Sequence, residues 1–345
     1  MRALVKYEKG PGNIKVMDMP EPVLPAEDWV IIKVKAAGVC GTDIHILHDE
    51  YPYWPPVILG HEFSGIIEQV GSKCSRFKVG DAVVAEPHSL ACGVCELCRT
   101  GRIQLCPSKR SPGWGIHGAF AEYVAMPEML LHKIPEGISF DMAALTEPLA
   151  IAVHQVSERC GIGCQDFVAV SGAGPIGILA AFVAKASGAG KVAITGMDAC
   201  EYIRFDAARA LGADYIINVQ KEDPVAKINE LTDGKGADVV IETSGADAGI
   251  AASINMVKRY GKLCAIGMGG APKSNVPWNT AVLKSIDVAF CMSSSYTSWD
   301  KALSLMASTG DALNAVITHR ADISEWEKVF AELQAERGIK ALFIP

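Results

Sequence analysis

One stretch limits what this chain can fold into more than any other. Residues 167–184 read FVAVSGAGPIGILAAFVA. Its length approaches that of a membrane span, but three glycines and a proline interrupt its middle. A lipid-facing helix gains nothing from them, whereas a strand, a tight turn and a buried helix use all four. Gly172-Ala-Gly174-Pro175-Ile176-Gly177 is then G-x-G-x-x-G between a strand and a helix. The first glycine makes the turn, the second lets backbone approach a pyrophosphate, and the third lets the helix pack on the sheet. The helix N-terminus adds free N–H groups and a positive dipole end. A glycine-rich turn in some other doubly wound domain is the plainer alternative. Around the motif, KVAIT, ADYIIN, ADVVIETSG and GKLCAIG are short apolar runs separated by helix-length segments. Such runs fit parallel strands buried on both faces, so an α/β fold with a dinucleotide-binding sheet is expected.

The chain before this point has another texture. DWVIIKVKAAGVC and FSGIIEQVGSKCSRFKVGDAVVAE are β-branched runs broken by Gly and Asp turns, which predicts a β-rich domain. Between them and the nucleotide motif lies CGVCELCRTGRIQLC, with cysteines at 92, 95, 98 and 106. Eleven cysteines could imply a disulfide framework, but the chain is long, the count is odd, and MRALVKYEKG has no secretory h-region. A tight cluster in a reducing, cytoplasmic setting more often binds metal. Four thiolates around Zn²⁺ make a closed tetrahedral site that pins a loop. Buried structural thiols are the alternative. The net charge of −7, without a basic block, argues against nucleic acid or an anionic membrane as main partner.

A second metal signal is scattered. GVCGTDIH supplies Cys40, Thr42, Asp43 and His45; LGHEFSG supplies His61 and Glu62; LTEPLAIAVH supplies Glu147 and His154. Cys, His and Glu are good zinc ligands. No spacing shows that these segments meet, and a buried structural histidine or a helix-start carboxylate explains each one singly.

The order CGTDIH, GHEFSG, the four-cysteine lobe, GAFAEYVAMP, a Glu-Pro segment and GAGPIG resembles the zinc-dependent medium-chain alcohol dehydrogenases. GHE and TEPLAIAVH are more similar to the sorbitol (polyol) and threonine dehydrogenase branch than to the ethanol branch, which has cysteine where Glu147 stands. The resemblance implies a GroES-like catalytic domain over 1–150 and 286–345, with a zinc lobe at about 88–110. A Rossmann domain over 151–285 would lie between, with the active site in the cleft. It implies two Zn²⁺ per chain. Cys40 and His61 would ligate the catalytic ion, with Glu62 and Glu147 as further ligands or partners through water. Cys92, Cys95, Cys98 and Cys106 would hold the structural ion. The catalytic ion would lower the pKa of the substrate hydroxyl, and the alkoxide would pass hydride to the nicotinamide. Thr42 would take the hydroxyl proton and pass it through a cofactor ribose hydroxyl to His45 and water. Gly172, Gly174, Pro175, Ile176, Gly177, Asp198, Arg204, Ile266, Gly267 and Met268 would contact the cofactor. The expected substrate is a small polyol or similar secondary alcohol. An amino alcohol such as threonine is the alternative, and a quinone-reductase-like or non-catalytic relative a third. A homo-oligomer, tetramer or dimer, is implied.

The choice of cofactor stays open at Gly196-Met197-Asp198. An acidic residue at the end of the second strand holds the ribose diol of NAD and repels a 2′-phosphate. Gly196 leaves room for a phosphate, whereas Asp198, two residues on, opposes one. Asp198 could instead cap the following helix. NAD is the expectation and NADP the alternative.

Overall fold

The structure, a computed structural model, describes residues 1–269 and 273–345. They form two compact units, residues 1–150 with 295–345 and residues 151–294. The first unit opens with strands β1 (Arg2–Lys6), β2 (Ile14–Asp18), β3 (Trp29–Gly38), β4 (Val57–Ile58), β5 (Glu62–Val70), β6 (Ala82–Ala85), β7 (Tyr123–Pro127) and β8 (Leu131–Lys133). β1 lies between β2 and β4 in an antiparallel sheet. β3 is the hub of a larger sheet: it pairs antiparallel with β5 and β7, and β5, β6 and β8 follow in order. Its sequence WVIIKVKAAG buries nearly every apolar side chain. Val30, Ile32, Val34, Phe63, Val83 and Phe120 share one core, which closes the β-rich unit without needing the helix periodicity of the second.

The second unit contributes β9 (Phe167–Ser171), β10 (Lys191–Gly196), β11 (Tyr215–Asn218), β12 (Ala237–Glu242), β13 (Val257–Ala265) and β14 (Asp287–Phe290). All pair parallel in the order β11-β10-β9-β12-β13-β14. Strand order reverses beside β9, where a doubly wound sheet binds its ligand. The motif sits at that reversal. β9 ends at Ser171, Gly172 turns at φ 107°, Gly174 caps the helix Pro175–Ala186, and Pro175 takes its first position. Proline there sacrifices no hydrogen bond, because the first helical N–H has no partner in the helix. A Cβ on Gly177 would lie 1.9 Å from the Gly172 carbonyl oxygen, so helix and turn meet at a distance only glycine permits. Because β14 pairs with β13, this unit runs to Ser294, past the boundary at 285 expected from sequence.

The chain then returns to the first unit as β15 (Ile317–Ala321) and β16 (Lys340–Phe343). β16 inserts between β15 and β3, with Leu342 opposite Gly38. The amphipathic helix Trp326–Gln334 joins β15 to β16 and buries Val329 and Phe330 in the core around β3. Among the described residues, no helix is long and apolar enough to cross a membrane.

Candidate active site

β3 ends at Gly38, and Cys40 caps the short helix Gly41–Leu47. Asp43, three residues on, accepts the Cys40 N–H at 2.9 Å and the Gly60 N–H at 3.3 Å, and lies 4.0 Å from His61 Nδ1. One fully buried carboxylate thus fixes the two turns that carry Cys40 and His61. Glu62 starts β5 opposite Gly38. A Cβ on Gly38 would lie 2.4 Å from Glu62 Oε2, so the missing side chain makes room for that carboxylate.

Cys40, His61 and Glu62 each present a ligand atom within 4.8 Å of the other two. The Glu62 carboxylate is also paired with Lys340 of β16, whose ammonium lies 2.8 Å from both oxygens and donates to the Val39 carbonyl at 3.0 Å. Burial alone pulls the Lys340 ammonium down. Glu62 and the other acidic groups beside it override this and hold it above its ordinary value. Glu147, at the start of the helix Thr146–Ala152, is 4% exposed. Burial pushes its carboxyl up to about 7, with Glu62 adding to the shift and His61, Lys340 and Lys109 opposing it. Burial and Glu62 likewise push the Cys40 thiol up.

These groups fit a metal ion. His61 Nδ1 and Glu147 Oε2 are buried without a hydrogen-bond partner among the described residues. A buried polar atom left unpaired is costly. The Cys40 thiol and the Glu147 carboxyl, facing Glu62 out of water, are held toward their neutral forms, and a divalent cation reverses that preference. Trp114 packs edge-on against His61 at 4.9 Å and against Tyr51 at 5.5 Å, an aromatic wall beside the group.

Thr42 Oγ1 lies 3.7 Å from Cys40 Sγ. His45 follows three residues later, so both project from neighbouring positions on one helix. His45 Nδ1 is 2.9 Å from Glu50 Oε2, and its side chain is half-exposed. His154 stays outside the metal-ligand group, in the second unit, where its Nδ1 meets Glu158 at 2.8 Å.

The four lobe cysteines also converge. Cys92 and Cys98 sulfurs are 4.0 Å apart, as are those of Cys95 and Cys106. Tetrahedral zinc–sulfur bonds of roughly 2.3 Å require sulfurs roughly 3.8 Å apart, whereas a disulfide is about 2.05 Å. Backbone N–H groups aim at the sulfurs: Cys92 N at Cys106, Cys95 N at Cys92, and Cys98 N at Cys95. The Cys92 N–H leads in drawing the Cys106 thiol down to about 6. Burial and the neighbouring thiols push Cys98 up to about 12. Four sulfurs at that spacing suit a closed metal site.

In the second unit, Thr243 Oγ1 donates to the Gly172 carbonyl at 3.0 Å and so braces the turn. Ile266 and Gly267, just past β13, both donate to the Glu242 carbonyl, and Met268 is exposed. Asp198 follows β10, and its Oδ1 accepts from Asn218 Nδ2 at 2.7 Å, with Lys221 Nζ 4.0 Å away. The N-cap of its short 3₁₀ turn is Met197 rather than Asp198. Arg204 begins the next helix and is buried. Lys340 and the bridging role of Asp43 were not assigned from sequence. Lys340 lies 278 residues from its partner, and no local pattern connects them.

A parallel sheet with a pyrophosphate-type turn, and a Cys-His-Glu group with its His and Glu buried in a β-rich unit, are the arrangement of a dinucleotide-dependent, metal-using oxidoreductase. The model of the alcohol dehydrogenase GroES-like domain matches residues 26–136, and that of the zinc-binding dehydrogenase matches residues 175–308. The sorbitol dehydrogenase of Halalkalibacterium halodurans is 39% identical over 345 residues, covering 100% of this chain and 99% of that one. The L-threonine 3-dehydrogenase of Bacillus licheniformis is also 39% identical, over 350 residues and the same shares. A structure from Sinorhizobium meliloti described as a zinc-binding dehydrogenase, bound to NADP, superposes with a TM-score of 0.92 at 30% identity. It covers 100% of this chain and 99% of that one. The chain belongs to the zinc-dependent medium-chain alcohol dehydrogenase family. It is an oxidoreductase of alcohol groups that works with zinc and a nicotinamide dinucleotide.

Proposed function

We propose that the chain oxidises a polyol or similar secondary alcohol to the ketone, with NAD as the hydride acceptor. The observation that carries this reading is the buried group of Cys40, His61 and Glu62, with Glu147 beside it holding an unpartnered oxygen. Cys40 and His61 hold the catalytic zinc, and Glu62 and Glu147 complete its surroundings directly or through water. When bound, the metal polarises the substrate oxygen and lowers the pKa of its hydroxyl. Thr42 Oγ1 takes the hydroxyl proton, and His45, backed by Glu50, delivers it to solvent. Cys92, Cys95, Cys98 and Cys106 hold a second, structural zinc. Gly172, Gly174, Pro175, Ile176 and Gly177 cradle the pyrophosphate, Asp198 and Arg204 face the adenosine end, and Ile266, Gly267 and Met268 line the cofactor's path. The enzyme works in the cytoplasm as a homotetramer or dimer.

Polyol oxidation is supported by the sorbitol and arabitol-phosphate dehydrogenases among the relatives. Oxidation of an L-threonine-like amino alcohol is the second reading, favoured by one observation. Lys109 is partly buried and interacts with Glu147, where its cation suits a substrate carboxylate. The test is a panel of polyols, polyol phosphates and 3-hydroxy amino acids, followed by NADH absorbance, with metal analysis of the same sample. Sorbitol-type substrates should lead in kcat/KM, at about two zinc ions per chain. A lead for L-threonine would replace the first reading with the second. Metal content near zero in protein never exposed to chelator would refute both.

A further inference from the structure

We propose that Cys291 and Cys264, with Arg159, form a peroxide-responsive thiol site in the dinucleotide-binding unit, in which oxidation of Cys291 is resolved by Cys264 as a disulfide. Three thiols meet here, none of them in either metal-ligand group. Cys264 Sγ donates to the Gln155 carbonyl at 3.4 Å, and Cys291 Sγ donates at 3.6 Å to the carbonyl of Ala289, the residue opposite Cys264, while Cys160, Cys291 and Arg159 are near enough to shift these thiols' ionisation. Sheet register brings them together. Cys264 lies on β13 opposite Ala289 of β14, and Cys291 stands just beyond the end of β14. The Cys291 N–H donates to the Ala265 carbonyl at 3.3 Å, which holds this segment against β13. Arg159 and Cys160 close the π-helical stretch Val153–Cys160, and Gln155 of that stretch accepts from Cys264 Sγ at 3.4 Å.

The three thiols are not equivalent. Cys264 is fully buried, and the neighbouring Cys160 and Cys291, reinforced by burial, push its thiol far up. Cys291 is only half-buried and lines a cavity of about 380 Å³ with Ile266, Met268 and Trp278, so a small oxidant can reach it. The neighbouring Cys264, with help from Arg159, draws the Cys291 thiol down to about 7. A low-pKa, accessible thiol beside a cation, with a second thiol nearby, is the arrangement that redox-sensing cysteines use. Plain core packing accounts for Cys264 and Cys160 but not for an arginine near an accessible Cys291. The three sulfurs are not among the metal-ligand groups of the described residues.

The chemistry balances with hydrogen peroxide as oxidant. The Cys291 thiolate attacks one peroxide oxygen, the O–O bond breaks, and the other oxygen leaves as water after taking a proton. Cys291 is now a sulfenic acid. Cys264 sulfur attacks the Cys291 sulfur, and the hydroxyl leaves as water with the Cys264 proton. The new bond ties β13 to the chain beyond β14, two residues before Ile266. That Ile266, Gly267 and Met268 touch the cofactor is the proposed reading above. The loss of dinucleotide affinity rests on it, whereas the disulfide does not.

The test uses reduced, metal-loaded enzyme at pH 7.5 with a few equivalents of hydrogen peroxide, followed by alkylation and non-reducing peptide mapping. A Cys264–Cys291 cross-link is expected, reversed by dithiothreitol, with the dinucleotide Kd raised roughly fivefold or more in fluorescence titration. Cys291→Ser should abolish the cross-link and the Kd change. In Cys264→Ser, dimedone should trap the Cys291 sulfenic acid, and Arg159→Gln should slow its formation several-fold. Recovery of Cys291 as a free thiol while the lobe cysteines oxidise would overturn the site. A cross-link with unchanged Kd would overturn only its effect on binding.

Discussion

Replacing Lys340 with methionine removes the ammonium paired with Glu62 and keeps most of the side-chain volume. The ammonium lies 2.8 Å from both carboxylate oxygens, with the two side chains 3% and 1% exposed. At that distance the attraction is about 6 kcal/mol for an effective dielectric of 20. Desolvation of two ions cancels most of it, so the pair as a whole adds little net stability. Removing one partner is different, because a buried carboxylate is left without compensation, at a cost of about 3–5 kcal/mol. For a unit of this size that corresponds to a fall in Tm of roughly 6–20 °C. The double variant Lys340→Met with Glu62→Gln removes both charges and should recover at least half of the loss. The assay is differential scanning calorimetry near pH 7 of protein stripped of the ion at the Cys40–His61–Glu62 group, whose charge would otherwise compensate Glu62, with zinc content measured in each sample. A single variant within about 1 kcal/mol of the parent would refute the reasoning, because that is the range of exposed pairs. A double variant no more stable than the single would refute it as well.

Three further outcomes are expected. Cys98→Ser should lower the melting temperature and lose one zinc, because metal binding there is folding free energy, whereas Cys40→Ser should abolish turnover in a folded protein that still binds dinucleotide; kcat, calorimetry and metal analysis separate the two. Asp198→Ala should narrow the preference for NAD over NADP in kcat/KM, and a parent enzyme that prefers NADP tenfold would overturn the assignment of Asp198. Glu128 loses stability to burial, but three backbone N–H groups, from Ser75, Arg76 and Phe77, outweigh this and hold its carboxyl below the usual range. The stability it contributes is present above the unfolded value of about 4.5 and is lost as pH falls through the lower folded value. Glu128→Gln should therefore destabilise at pH 7, with a smaller difference at pH 3, measured by urea unfolding at both.

The parts of the fold that were legible were those written locally. The turn at Gly172 to Gly177 and the helix after it are specified within a dozen residues, because glycine spacing, proline position and apolar run all point the same way. The four-cysteine lobe was legible for the same reason. The Cys40–His61–Glu62 group was legible only through the family resemblance, since its members stand on different elements and only the pairing of β3 with β5 juxtaposes them. Lys340 gave no signal at all, because its partner is fixed by the insertion of β16 beside β3. The second unit's end is weakly marked in sequence, because Asp287–Phe290 is a short, mostly exposed strand without the apolar run that marked its neighbours. Asp198 carried two readings in sequence, ribose partner or helix cap, and its hydrogen bond to Asn218 adds a third constraint that neither foresaw.

The place of β16 has a consequence for how the enzyme comes into being. The strand that completes the middle of the first unit's sheet is separated from β3 and β5 by the whole second unit. The 278 residues between Glu62 and Lys340 take roughly a quarter of a minute to a minute to emerge from a ribosome. During that interval Glu62 waits without its cation, and the nascent sheet exposes the edge of β3 that β16 will occupy. The nucleotide unit, contiguous in the chain, can fold in the meantime. Completion of the Cys40–His61–Glu62 group is therefore a late event, and on the proposed assignment of zinc to it, an ion supplied before the last strand arrives meets an unfinished site.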